Sequence, residues 1–322
     1  MFSLKPILSL QSLWVFGVAF AVTFILTPLM VRVAQRWRFL DQPAFRKIHA
    51  EPIPCTGGLA IGMGVMVGMF GVPMPLNIRV GLLGGILTLI LLGFYDDVFG
   101  IRPQIKLGGQ TLAALWAIAW GVKVTFIRLP LLGMASLGAW SVPLSLFWIV
   151  LIINTINLID GIDGLAAGVT FIVGLALLLT GHLLNQTGVL LFVLALLGSL
   201  LAFLRYNFNP ARIFMGDSGS MVCGFLLAAA SILGVFKTTT TMALAVPVLA
   251  LGLPLTDTGL AVLRRLRSGR SIFSPDRQHV HHWLLAKGMT QRQVAVTAYS
   301  ITMLLSIIAV SMVALVTAAA RH

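Results

Sequence analysis

Long apolar segments separated by short polar connections dominate the chain. Ten windows are long enough to cross a hydrocarbon core of about 30 Å. They lie near residues 7–31, 57–75, 80–95, 106–122, 143–159, 165–184, 188–205, 217–236, 242–262 and 293–318. The pattern predicts an all-α, polytopic integral membrane protein with about ten transmembrane helices, folded as a single domain over residues 1–322.

The segment from Val122 to Val142 has a different pattern. Polar and apolar residues alternate up to Arg128, and Pro130 and Gly133 follow. Alternation with period two is typical of a strand, and Pro and Gly are typical of a turn. We expect a short extracytoplasmic β-hairpin here.

Charged residues are scarce and unevenly distributed. They make up 10% of the chain, against about 25% in average soluble proteins, which excludes an ordinary soluble domain. Sixteen of the 22 Lys and Arg fall in the connections 32–57, 96–106, 205–216 and 263–292. The positive-inside rule places these connections in the cytoplasm. We expect them to contact anionic membrane lipids, and we expect no nucleic-acid partner.

Acidic residues lie on the same side as these cations. Only nine Asp and Glu occur, and Asp257 is the one that falls well inside an apolar window. A carboxylate near a membrane is costly and is usually retained for a pathway, a partner or a metal. We therefore expect the chemistry on the cytoplasmic face.

The segment from Asn154 to Gly164 follows an apolar window and is unusually polar. If the preceding helix continues, polar residues spaced by three step round it by about 60° each, so neighbours share a face. These residues are Asn154, Asn157, Asp160 and Asp163. We favour a functional polar stripe over caps for the next helix, because one cap needs only one Asp.

Two further Asp motifs stand at window ends. Asp96 and Asp97 are adjacent, and like charges repel unless a cation or a shared proton relieves them. A bound Mg²⁺ would relieve the repulsion between these carboxylates, and the alternative is that the pair lies in a solvated turn without a bound ion. Asp217 opens the eighth window, where it or Ser218 could cap the helix, or the free amides could bind phosphate.

Three His lie within four positions of the last cytoplasmic connection, at His279, His281 and His282. A zinc site is disfavoured because no Cys or Glu is suitably placed nearby. Imidazoles beside Arg277 are better suited to phosphate oxygens or a nucleotide. A basic loop on anionic lipid explains the preceding arginines but not the clustered His.

Together the motifs resemble the polyprenyl-phosphate N-acetylhexosamine-1-phosphate transferases, glycosyltransferase family 4. The matching segments are Asp96–Asp97, Asn154–Gly164, Met215–Ser220 and His279–His282, and the last is similar to the WecA branch. The resemblance implies transfer of N-acetylglucosamine-1-phosphate from UDP-GlcNAc to undecaprenyl phosphate, with release of UMP. It implies synthesis of cell-envelope polysaccharide at the bacterial inner membrane, and eleven spans instead of ten.

The resemblance also implies a role for each motif. Asp217 is expected to bind Mg²⁺, with Mn²⁺ as an alternative, while Asp96 and Asp97 deprotonate or position the lipid phosphate. The implied catalytic residues are Asp96, Asp97, Asp160 and Asp163. The implied substrate-binding residues are Asn154, Asn157, Arg277, His279, His281 and His282. A homodimer is left open.

Other functions stay open at this point. The same reaction could use UDP-MurNAc-pentapeptide or another UDP-N-acetylhexosamine. A secondary transporter should have its site near the membrane midplane, in repeated halves that this chain lacks. A lipid-binding scaffold needs only the basic connections and leaves Asp96, Asp97 and Asp217 unexplained.

Overall fold

The computed structural model describes residues 9–41, 52–129, 133–235, 245–269 and 280–319. These residues are mostly helical, as the apolar pattern predicted. The helices are α1 Leu10–Trp37, α2 Gly57–Met69, α3 Leu76–Phe99, α4 Pro103–Ala119, α5 Ser141–Ile159, α6 Leu165–Leu183, α7 Thr187–Asn207, α8 Gly216–Ala230, α9 Ala245–Ala250, α10 Gly252–Arg267, α11 Val280–Ala286 and α12 Gln291–Ala319. A π-helical turn, Ser231–Val235, extends α8.

Six helices in the described ranges are long and apolar enough to cross a membrane. They are α1, α3, α5 with the short turn before it, α6, α8 with its π-helical turn, and α12. Helix α2 and residues 191–207 of α7 are apolar but shorter. The protein is therefore a polytopic membrane protein, whereas the predicted count of ten spans is not confirmed.

The predicted ninth span is not one continuous helix. Helix α9 ends at Ala250, and α10 begins at Gly252. The break has a local cause, because the ring of Pro254 would clash with the carbonyl four residues earlier. Helix α10 then ends in a basic turn, so it is amphipathic instead of uniformly apolar.

Two short antiparallel strand pairs accompany the helices within the described ranges. Strand β3, Phe126–Leu129, pairs with β4, Gly133–Ser136, in the segment where a hairpin was expected. Its location outside the membrane stays a prediction. Strand β1, Leu40–Asp41, pairs with β2, Ile53–Pro54, and the apolar pattern gave no sign of this second pair.

Helix α8 is the centre of the bundle. Every residue from Ser218 to Ala230 is buried, and the helix packs against α2, α3 and α5. Glycines allow close approaches to it. For example, a Cβ on Gly93 of α3 would lie 2.3 Å from the backbone nitrogen of Ser218. The start of α8 is thereby held where α3 ends.

Candidate active site

A polar cavity of about 470 Å³ opens at the end of the bundle where α3 and α5 finish and α8 begins. Carboxylates dominate its wall, although the bundle itself is apolar. The six carboxylates that line it are Asp41, Asp96, Asp97, Asp160, Asp163 and Asp217. Segments far apart in the sequence thus place most of the acidic residues of the chain around one space.

Asp97 caps the first turn of α8 from the end of α3. One carboxylate oxygen accepts a hydrogen bond from the backbone N–H of Asp217 at 2.7 Å. The other accepts from the N–H and the hydroxyl of Ser218, at 3.2 and 3.0 Å. A helix start has unpaired amides and a positive dipole end, so a carboxylate is a fitting partner. Asp97 thus occupies two of the amides that were predicted to bind phosphate or receive a local cap.

Lys106, in the first turn of α4, joins two of the carboxylates. Its ammonium lies 3.1 Å from Asp96 Oδ2 and 2.7 Å from Asp217 Oδ2. The other oxygen of Asp96 accepts from the backbone N–H of Ile101 at 2.8 Å. Asp96 is therefore not a solvated turn residue, and an ammonium relieves its repulsion from Asp217.

Asn157 fixes the other side of Asp217. Its side-chain amide donates to Asp217 Oδ1 and, at 2.8 Å, to the hydroxyl of Ser220. Ser220 in turn donates to the carbonyl of Gly216 at 3.0 Å. The two oxygens of Asp217 are thus oriented from α5 and from α4, which gives this carboxylate a defined direction in the cavity.

Asp160 lies in the turn that ends α5, not on a continuing helix. The helix stops at Ile159, and Gly164, at φ +75°, precedes α6 without a side-chain cap. The predicted four-residue stripe is therefore wrong beyond Asn157, and neither Asp caps α6. Burial, with repulsion from Asp217 and then Asp97, raises the pKa of Asp160 to about 8.

Asp163 holds the segment before α8. Its carboxylate accepts from the side-chain amide of Asn209 at 2.8 Å and from the backbone N–H of Ala211 at 2.9 Å. Its own N–H donates to Gln291 Oε1 of α12 at 3.3 Å. Asp163 lines the cavity and also organises three segments of its wall.

Asn154 does not reach the cavity. Its side-chain amide donates to Gln110 Oε1 of α4 at 2.7 Å and to the carbonyl of Val150 at 2.8 Å. In this geometry it links α4 to α5, one turn above Asn157.

The histidine motif is only partly described. Helix α11 places His282 on the cavity wall. His281 is buried beside it, against Gly161. Arg277 and His279 lie outside the described residues, so their predicted roles stay predictions.

The cavity offers a hard divalent cation a suitable donor set. Among the described residues, no three acidic, His or Cys groups form a preassembled metal site. However, Mg²⁺ in phosphoryl-transfer enzymes commonly needs one or two carboxylates, with substrate phosphates and water completing the shell. The two carboxylates that share the Lys106 ammonium already favour a cation between them.

Comparison with known proteins assigns the family. The family model of glycosyl transferase family 4 matches residues 79–235. A Bacillus subtilis (strain 168) protein, named probable undecaprenyl-phosphate N-acetylglucosaminyl 1-phosphate transferase, is 37% identical over 298 residues, or 92% of this chain and 83% of that protein. This chain belongs to glycosyl transferase family 4.

Two other relatives are named for related transferases. A Mycobacterium leprae decaprenyl-phosphate N-acetylglucosaminephosphotransferase is 36% identical, covering 86% of this chain and 78% of its own length. An Escherichia coli (strain K12) undecaprenyl-phosphate alpha-N-acetylglucosaminyl 1-phosphate transferase is 29% identical, covering 85% and 77%. The stretch matched by the family model contains every cavity carboxylate except Asp41.

Sequence reasoning missed two residues that line the cavity, Asp41 and Gln291, and Lys106, which pairs with two of its carboxylates. Lys106 was counted only as an orientation charge, and Asp41 only as an acid on the same face. Gln291, which lines the cavity, was not singled out. Asp41 was one of the few acidic residues noted in the sequence. Its position beside the cavity, however, follows only from the pairing of β1 with β2. No sequence signal distinguished Gln291 from an ordinary first-turn residue.

Proposed function

We propose that this protein transfers N-acetylglucosamine-1-phosphate from UDP-GlcNAc to undecaprenyl phosphate and releases UMP. The observation that carries the proposal is the carboxylate cavity at the end of the membrane helices, in a chain whose relatives have this reaction in their names. A lipid acceptor can keep its tail in the bilayer while its phosphate enters such a cavity. A scaffold would need no such cluster.

The reaction requires that one anion attack another. A lipid phosphate oxygen forms a bond to the β-phosphorus of the nucleotide sugar, and the bond from that phosphorus to the bridging oxygen breaks, leaving UMP. Catalysis then depends on positioning and on charge neutralisation. We propose that Asp217 would hold Mg²⁺, with Mn²⁺ as an alternative, which would supply positive charge beside the diphosphate. The orientation of Asp217 by Asn157 and Lys106 supports this assignment.

The remaining residues divide by their contacts. We propose that Asp160, Asp163 and Asn157 form the donor side with His282, where the turn after α5 meets α11. We propose that Asp96, which pairs with Lys106, meets the acceptor phosphate. Asp97 positions the start of α8, because both of its oxygens accept hydrogen bonds there.

The cavity is proposed to face the cytoplasm of a bacterial cell, at the inner membrane. The excess of Lys and Arg in the connections at this end supports that side. UDP-sugars are made in the cytoplasm, so a cavity on this face meets its donor directly.

A decaprenyl acceptor is the second candidate. It is favoured by the relatives that are named for decaprenyl phosphate, such as the Mycobacterium leprae protein. The chemistry at the phosphate is the same for both lipids, so the two candidates differ only in the tail.

The test is UMP release by the purified protein with undecaprenyl phosphate and Mg²⁺. UDP-GlcNAc, UDP-GalNAc and UDP-MurNAc-pentapeptide are compared in parallel, with EDTA as the control for metal. We expect release from UDP-GlcNAc that EDTA abolishes. Release from another donor alone would reject the donor assignment, and release from none would reject the proposed function. Decaprenyl phosphate in a second series decides the acceptor.

A further inference from the structure

A buried carboxylate outside the cavity contacts the helix that carries the histidines. Asp257, in the second turn of α10, is 4% exposed. Its Oδ1 accepts a hydrogen bond from the backbone N–H of Val280 at 3.1 Å. Val280 is the first residue of α11, so the carboxylate meets the positive end of that helix.

The two residues after Val280 connect this contact to the cavity. His281 is 5% exposed, and its Nε2 lies 2.5 Å from where a Cβ on Gly161 would be. The ring of His282 lies against that of His281, with centroids 4.3 Å apart, and lines the cavity. Thus the start of α11, the turn after Asp160 and the cavity wall form one packed unit.

Physical reasons make this contact more than incidental. A helix of seven residues is not stable alone, so tertiary anchors must set its position. A buried carboxylate is costly unless it is hydrogen bonded, and a helix start supplies unpaired donors at its positive dipole end. Removing Asp257 therefore removes an anchor two residues from a cavity side chain.

We propose that Asp257 is a positioning residue, which anchors the start of α11 so that His281 packs on Gly161 and His282 faces the donor side of the cavity. The inference rests on the proposed function for the identity of the donor. Asp257 itself touches no reacting atom, and it acts through α11.

Kinetics of three variants test the proposal. Asp257→Ala removes the acceptor, Asp257→Asn keeps an oxygen that can accept from Val280, and Thr258→Val alters the neighbouring buried side chain. The hydroxyl of Thr258 makes no hydrogen bond to the described residues, which makes it a matched control. We expect Asp257→Ala to raise the KM for UDP-GlcNAc at least about tenfold, with little change in the KM for the lipid. Asp257→Asn and Thr258→Val should stay within about threefold of the parent.

Hydrogen exchange measures the anchor without using activity. Amides of α11 should exchange at least about tenfold faster in Asp257→Ala than in the parent, Asp257→Asn or Thr258→Val. If Asp257→Ala does not fold, Val280→Pro removes the donor instead, since Pro is tolerated at the first helical position. It should then raise the same KM and exchange rate.

Two results overturn the proposal. One is parental KM and exchange in Asp257→Ala, and the other is a raised KM with parental exchange of α11 in that variant, which would show that Asp257 does not act by anchoring the helix. A parent protein that releases no UMP from UDP-GlcNAc would reject the proposed function, whereas the exchange comparison would still decide whether Asp257 anchors α11.

Discussion

At the scale of single residues, the main feature of the cavity is its concentration of negative charge. Six carboxylates line it, whereas each proposed substrate is itself an anion. Amides at the start of α8 stabilise the negative charge of Asp97, and the Lys106 ammonium stabilises the charges of Asp96 and Asp217. Lys106 is thus part of the electrostatic balance, although a lysine near a membrane segment is easily attributed to orientation alone.

Replacing Lys106 by Met removes the charge and keeps most of the length. Asp96 and Asp217 would then repel each other, so we expect UMP release to fall about a hundredfold, as when a key electrostatic group is lost. Arg102→Met is the matched control, because Arg102 lies in the same connection but is exposed. The measurement is UMP release from UDP-GlcNAc by both variants, assayed in parallel. Full activity of Lys106→Met would remove Lys106 from the site.

The pKa of Asp160, about 8, predicts a pH dependence of metal binding. Below that pH the carboxyl holds a proton, and a cation bound at nearby Asp217 would favour the charged form of Asp160. Apparent Mg²⁺ affinity should therefore rise with pH, by up to about tenfold per unit, and level off above 8. Asp160→Asn should bind more weakly and with a flatter profile.

Titrations of UMP release against Mg²⁺ at pH 6.5, 7.5 and 8.5 measure this dependence. The Asp160→Asn variant, assayed in the same series, is the control for every other ionisable group. Equal slopes in the two proteins would assign the proton to another group.

At the scale of elements, the junction of α3 with α8 assembles the site. Asp97 reaches the first turn of α8 because Gly93, one helical turn earlier, allows the two backbones to touch. The same approach places Asp96 and Asp217 on either side of Lys106. Close packing, more than any flexible loop, therefore sets the distance between these carboxylates.

Gly93→Ala tests this junction. Its Cβ would lie 2.3 Å from both the Cα and the N of Ser218, and backbone atoms cannot yield as a side chain can. We expect a loss of roughly 1–3 kcal/mol or more in stability, seen as a lower Tm in detergent, with loss of activity.

Gly108→Ala is the matched control for Gly93→Ala. It also lies in a helix near the site, but its Cβ would meet nothing within 4 Å. It should melt at or slightly above the parent temperature, because Ala is the better helix former. If the two alanine variants melt together, α3 and α8 do not touch as described.

The sequence predicted which segments form helices better than it predicted the residues at which those helices end. Apolar windows located the long helices, because burial in a bilayer is a strong and repetitive signal. The stripe failed beyond Asn157, since hydrophobicity does not show that Ile159 ends α5 and that Asp160 lies in a turn. The break before Pro254 was missed because the apolar run continues through it, although the ring of Pro254 prevents a continuous helix at this position. Contacts such as Asp163 with Asn209 join distant segments and leave no local trace.

At the scale of the whole molecule, six carboxylates of the described residues gather at one end of an apolar bundle. This one-sided distribution of charged groups is expected, since a carboxylate within the hydrocarbon layer is energetically unfavourable without a partner or a proton. It was visible in the sequence as acids and cations sharing the same connections. The convergence of carboxylates from α3, α5 and α8 around one cavity required the packing of α8 against α3 and α5.

Labelling of introduced cysteines tests the orientation. Both native cysteines are buried, so the background should be low. Ala139→Cys, before α5, should react with a membrane-impermeant maleimide in intact cells. Gln104→Cys, at the start of α4 near the cavity, should react only after permeabilisation. The reverse pattern would invert the protein and place the cavity outside.

The central claim is that the bond to the β-phosphorus breaks and that this phosphorus moves to the lipid. The most direct measurement uses UDP-GlcNAc labelled with ³²P at the β position, undecaprenyl phosphate and Mg²⁺, with Asp217→Asn as the inactive control. The account predicts label in the lipid fraction, unlabelled UMP in water, and neither product with Asp217→Asn. Label that leaves as UDP while the sugar enters the lipid would show cleavage on the other side of the phosphate and contradict the account.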